Sequence, residues 1–250
     1  MKTNSYKKKL FIVVFSLLSG ILLIGIGSYY YVFHAPNINQ VEDETFLYIR
    51  DTDTFDDVLK QIESKAVITN RFTFIQVARR LKYTHIKPGR YALENKMSNV
   101  ELIRKLRNAQ QDPVKLQFNS LRTKEQLAGR IAEQIMVDSA SLITLMNDPE
   151  FLKQYEVTPA TVISLFIPNT YEVFWNIKAE NLFKRMKREY DHFWTSERKA
   201  KAAAIPMTQE EVIILASIIQ EETNKKSEYP IIAGLYINRL RKKMPLQACP

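Results

Sequence analysis

A single cysteine, Cys249, stands among 250 residues, so no disulfide can close within the chain. If the chain is exported, its domains must be stable by their cores alone. Glycine is scarce, at 6 residues, which excludes a collagenous or low-complexity chain. The three histidines, His34, His85 and His192, lie far apart, and neither HExxH nor CxxC spacing occurs. A structural or catalytic zinc site therefore lacks its ligands, and no metal site is expected. No Gly-rich phosphate loop and no GxSxG elbow are present, so nucleotide chemistry and serine hydrolysis lack their parts, and no cofactor is expected. The net charge is +9, but Lys2, Lys7, Lys8 and Lys9 supply four of those nine charges. The remaining excess is diffuse and accompanies no binding motif, so nucleic acid is not an expected partner.

What the chain does have is one long uncharged run. Leu10 to Phe33 reads "LFIVVFSLLSGILLIGIGSYYYVF", 24 residues without a charge. As a helix it would span ~36 Å, enough to cross a bilayer with some tilt. A cleaved signal peptide would carry a shorter apolar region and a small-residue cleavage site. Here the run ends in Tyr29, Tyr30 and Tyr31, which suit a membrane–water boundary. The lysines before it favour a cytoplasmic N-terminus, with the bulk of the chain on the other side. The expected order is a basic segment at 1–9, a signal anchor at 10–33 and a polar tether at 34–44.

Beyond the tether the sequence is punctuated as an α+β protein. "TFLYIR" (45–50) alternates as a strand. Thr54 caps a helix through "FDDVLKQIES", "RFTFIQVARRL" (71–81) is amphipathic, Gly89 marks a turn before a short strand, and Ser98 caps a third helix. Residues 45–112 thus form one small α+β unit. From 113 onward, "VKLQF" (114–118) reads as a strand. Thr123 opens a helix with Gln126 in the capping-box position. A helical stretch breaks near Pro149, and residues 162–175 read as buried strand or loop interrupted by Pro168 and Asn169. A helix through "AENLFKRMKREYDHFW" follows. Thr208 then caps "QEEVIILASIIQEET", and Pro230 sits in the first turn of a last helix. Residues 113–250 are expected to form a second α+β domain that stops before it closes.

Four segments, in order, resemble the bacterial YceG-like endolytic murein transglycosylases. "IKPGRYALENKMSNVELIRKL" is similar to that family's LysM-like unit, and "FIPNTYEV" to its Phe-x-Pro-Asp-Thr-Tyr/Trp segment. "ASIIQEET" resembles its Ala-Ser-Ile signature ending in Glu. "LYINRLRKKMPLQACP" resembles its Asn-Arg-Leu…Met-x-Leu-Gln-x-Asp-Pro segment. The resemblance implies a membrane-anchored enzyme with a periplasmic domain at the cell (inner) membrane. Such an enzyme cuts peptidoglycan glycan strands internally and leaves 1,6-anhydro-N-acetylmuramic acid ends. It also implies cell-wall synthases as partners. The family's catalytic glutamate aligns with Glu222. Ser217, Asn169, Thr170, Tyr171, Asn238 and Gln247 are the substrate-binding positions that it suggests. The chain departs from the pattern at Asn119–Ser120 and Ile163–Ser164, each in place of Glu-Gly. Gln220 stands where relatives often carry Glu, and Asn169 and Cys249 each stand in place of Asp. A catalytically silent, membrane-anchored wall-binding or scaffold protein is the second reading.

Breaking a glycosidic bond requires protonation of the leaving oxygen while an oxocarbenium-like centre develops. A carboxylic acid does this when an apolar surround keeps its proton on. On a helix Glu222 shares a face with Leu215, Ile218 and Ile219, at i−7, i−4 and i−3. Glu221 shares its own with Ile214, Ser217 and Ile218, so spacing alone leaves both carboxylates open.

Overall fold

A computed structural model describes residues 3–247, with side chains from Leu10 onward. The basic cluster at 2–9 and Cys249, both singled out above, lie outside the described side chains. The chain divides into two compact units, one of residues 1–113 with 174–176, the other of 114–173 with 177–250.

The first unit opens with helix α1 (Thr3–Phe33), whose Leu10–Phe33 portion is long and apolar enough to cross a membrane. Strand β1 (Pro36–Asn39) follows after only His34 and Ala35. This corrects the plain tether expected over 34–44. Asn37 is buried: its carbonyl Oδ1 accepts from the Asn70 N–H at 2.7 Å, and its Nδ2 donates to the Asn99 Oδ1 at 2.6 Å. A polar side chain that mimics backbone pairing in this way belongs inside, although its composition reads as loop. β1 is the centre of an antiparallel sheet, with β3 (Val67–Ile68) on one side and β5 (Met97–Ser98) on the other. A second ladder pairs β2 (Phe46–Ile49) with β4 (Gly89–Ala92) in unbroken antiparallel register.

Helices α2 (Phe55–Lys65), α3 (Arg71–Arg80) and α4 (Asn99–Arg107) pack on these strands. Thr54 and Ser98 each form a full capping box, with Asp57 and Glu101 returning a carboxylate to the cap N–H. The apolar faces of all three helices meet Ile38, Leu47, Ile49 and Tyr91 in one core. Trp175 from the 174–176 segment sets its ring edge against Tyr48, with centroids 5.1 Å apart.

The second unit is built on strand β6 (Val114–Phe118), paired antiparallel with β7 (Asn169–Val173). Between them run α5 (Lys124–Ala132), α6 (Ser139–Asn147), α7 (Pro149–Lys153) and a 3-10 turn at Val162–Leu165. After them come α8 (Ala179–Phe193), α9 (Ser196–Ala204), α10 (Gln209–Glu222) and α11 (Tyr229–Arg241). Gln126 departs from its expected capping-box role. Its Oε1 accepts from the Arg122 N–H, one residue upstream of the cap, at 3.1 Å. Helix α9 was not anticipated. Its alanines carry no apolar periodicity, and the Thr195 cap and the Glu197–Lys201 ion pair are its sequence signals. Helices α10 and α11 share a small core of their own around Leu215, Ile219 and Tyr236.

Candidate active site

Helix α10 is fixed at both ends. Thr208 and Glu211 form a reciprocal capping box at the start, with bonds of 2.8 and 3.1 Å. At the end, the Thr223 hydroxyl donates to Glu228 Oε2 at 2.7 Å and accepts from the Lys225 N–H at 3.1 Å. That turn joins α10 to α11 and sets the position of the last helical residue, Glu222.

One side of α10 lines a cleft of 510 Å³. Two adjacent rows of four-residue spacing reach it: Ile214, Ile218 and Glu222, and beside them Ile213, Ser217 and Glu221. The opposite wall comes from the 119–122 loop after β6, the 160–164 segment, Phe166 and Pro168. The walls are mostly apolar, and Glu221 and Glu222 are the only carboxylates among the described residues that line them. Asn119, Ser120, Ile163 and Ser164, the four positions where Glu-Gly pairs were expected, all line this cleft.

The two carboxylates differ in their partners. Glu221 is exposed and forms an ion pair with Arg122. Its neighbour Gln220 accepts from the Ser120 hydroxyl at 3.2 Å. The 119–122 loop is therefore clasped to the end of α10 at two points. Glu222 is half-buried, and no described residue bonds to its carboxylate or pairs with it. An acid without a partner, beside isoleucines and open to a cleft, is free to meet a ligand atom.

Of the residues expected to bind substrate, Ser217 lines the cleft, and its hydroxyl donates to the Ile214 carbonyl at 2.8 Å. Asn169 and Thr170 are exposed at the start of β7, next to the lining Pro168. Tyr171 points into the core. It is 4% exposed, its ring lies 5.5 Å from that of Phe118, and its hydroxyl donates to the Ile167 carbonyl. Burial pushes its pKa up to about 12. The alternation of Tyr171 with Val173 was the signal for an inward side chain. Asn238 on α11 and Gln247 are exposed and are not among the cleft-lining residues. Arg122, Phe166 and Pro168 line the site without having been singled out for it. Among the described residues no group of three or more His, Cys, Asp or Glu side chains is placed so that it could hold a metal ion.

A model of the YceG-like family matches residues 47–250. The chain belongs to the YceG-like family. An endolytic murein transglycosylase of Streptococcus pneumoniae is 23% identical over 218 residues, covering 75% of this chain and 38% of the relative. One from Bacillus subtilis is 27% identical over 143 residues, covering 50% of this chain and 39% of the relative. The chain thus spans well under half the length of these curated relatives. A 2.6 Å crystal structure of a yceG-like protein from Listeria monocytogenes is similar at a TM-score of 0.50 and 25% identity. That match covers 82% of this chain and 72% of the other. Of the two carboxylates that line the cleft, Glu222 is the one with no bond or ion pair to a described residue.

Proposed function

We propose that the chain is a membrane-anchored lytic transglycosylase of peptidoglycan that uses Glu222 as its single acid and then base. The observation that carries the reading is the unpartnered, half-buried Glu222 carboxyl on an apolar cleft wall, one residue from a carboxylate already paired with Arg122. The names of the relatives in S. pneumoniae and B. subtilis support it.

In this reaction Glu222 gives its proton to the oxygen that links N-acetylmuramic acid C1 to the next N-acetylglucosamine. The C1–O bond breaks as positive charge develops at C1. The carboxylate left behind takes the proton of the C6 hydroxyl on the same muramic residue, and that oxygen bonds to C1. The proton returns to Glu222 and no water is consumed. The nucleophile belongs to the substrate, so proximity does the work that a second carboxylate does elsewhere. The apolar side chains of Ile213, Ile214, Ile218 and Phe166 line the cleft, and a glycan strand lying against them would leave less room for water at C1. Ser217, with Asn169 and Thr170 beside Pro168, is proposed to hold sugar amides and hydroxyls.

The first unit is proposed as the LysM-like spacer, with α1 as the anchor, the N-terminus cytoplasmic and the two units on the outer side. Cell-wall synthases are the proposed partners. Product analysis of purified glycan strands tests the activity. Wild type is expected to yield 1,6-anhydro ends, and Glu222→Gln to lower the rate by at least about a hundredfold. Glycan binding without cleavage by the wild type would favour the silent scaffold.

A further inference from the structure

We infer that the first unit has its own docking surface for the outer headgroup layer of a lipid bilayer, made by Phe72 together with the tyrosines that end α1. This rests on the reading of α1 as a membrane span. The span and the folded unit are not joined by a swinging tether. Only His34 and Ala35 separate α1 from β1, and both N–H groups bond back to the Tyr30 carbonyl, at 2.8 and 3.0 Å. Val32 and Phe33 pack against the core of the unit.

A buried amide network then locks the end of the helix. Asn99 is 1% exposed, and its Nδ2 donates to the Val32 carbonyl at 2.9 Å and to Thr73 Oγ1 at 3.2 Å. Its Oδ1 accepts from Asn37 Nδ2, which also donates to the Asn70 carbonyl at 3.1 Å. Each of these groups is a polar atom removed from water, so moving α1 away from the unit would leave several of them unsatisfied.

The network fixes what lies beside the membrane surface. Asn70 caps α3 and Thr73 sits in its first turn, so Phe72 between them is carried to the junction. Its backbone is within about 12 Å of the Val32 carbonyl, given those bonds and the Cα spacing. Phe72 is 69% exposed and Tyr29, Tyr30 and Tyr31 are 58, 62 and 57% exposed. Aromatic rings at the end of a span suit the boundary between hydrocarbon and headgroups, roughly 5–8 Å deep on each side, and Phe72 is held within reach of that end. A large phenyl ring that is mostly exposed and held next to the end of a span matches that layer.

The test uses this 250-residue chain, whose single cysteine makes site-directed labelling simple. In a Cys249→Ser background, Phe72→Cys and Leu22→Cys are each spin-labelled and reconstituted in phosphatidylcholine–phosphatidylglycerol vesicles. Accessibility to oxygen and to a nickel chelate then reports depth. The label at 22 is expected deep, and the label at 72 is expected at an intermediate, interfacial depth, with nickel access reduced severalfold relative to free label in buffer. A deep label at 22 with a label at 72 as nickel-accessible as free label would overturn the docking surface, leaving the ring open to stack on a sugar. A nickel-accessible label at 22 would instead overturn the spanning helix, and the inference with it.

Discussion

Glu221 and Glu222 are neighbours in sequence, yet among the described residues one has a partner and the other does not. The Arg122 pair makes Glu221 part of the clasp that holds the 119–122 loop to α10. With the two side chains 65% and 39% exposed, the pair contributes about 0–1 kcal/mol, so it positions more than it stabilises. Glu221→Gln and Arg122→Ala are therefore expected to keep activity within about tenfold of wild type and to melt within a few degrees of it. Activity assays beside thermal melts check this. A loss in Glu221→Gln as deep as in Glu222→Gln would move the acid to Glu221. Glu222 was singled out because its helix carries a signature and an apolar run, and it lines the cleft. The Arg122 partner was not, because 99 residues separate it from Glu221 and no local pattern encodes such a contact.

Helix starts were the most legible elements. Thr54, Ser98 and Thr208, each read as a cap, all cap their helices and close a box with the acidic side chain three residues on, whereas the box read at Thr123 and Gln126 does not form. The short strands were not legible: β3 and β5 have two residues each, too few for a period-two pattern, and β1 depends on partners 33 and 62 residues away. The Ser98 box yields a pH prediction. Hydrogen bonds from the Ser98 N–H and hydroxyl, together with the charge of His34, hold the Glu101 carboxyl below its usual range. A depressed folded-state pKa contributes stability that is fully present above the unfolded value of about 4.3 and is lost as pH falls through the folded value. Urea unfolding of wild type should weaken with falling pH below about 4.3, and Glu101→Gln should flatten that part of the dependence. A second element-level prediction concerns Gly89, at the start of β4. Its φ is +154°, and a Cβ there would overlap the Gln111 side chain. Gly89→Ala is expected to cost about 1–3 kcal/mol in chemical denaturation.

At the scale of the whole molecule, an apolar helix passes directly into a small α+β unit, and a second α+β unit carries the cleft. The family and the mixed helix–sheet character were readable from ordered motifs and cap spacing. The rigid join between α1 and β1 was not, because it is made by buried asparagines whose composition suggests a loop. The central claim is that the sugar's own C6 hydroxyl, helped by Glu222, replaces water at C1. Digestion of glycan strands in H₂¹⁸O followed by mass spectrometry of the new ends tests it most directly. The account predicts 1,6-anhydro ends without ¹⁸O from the wild type, and their near-complete loss in Glu222→Gln. Reducing ends labelled with ¹⁸O would contradict it, since they would show that water attacks C1.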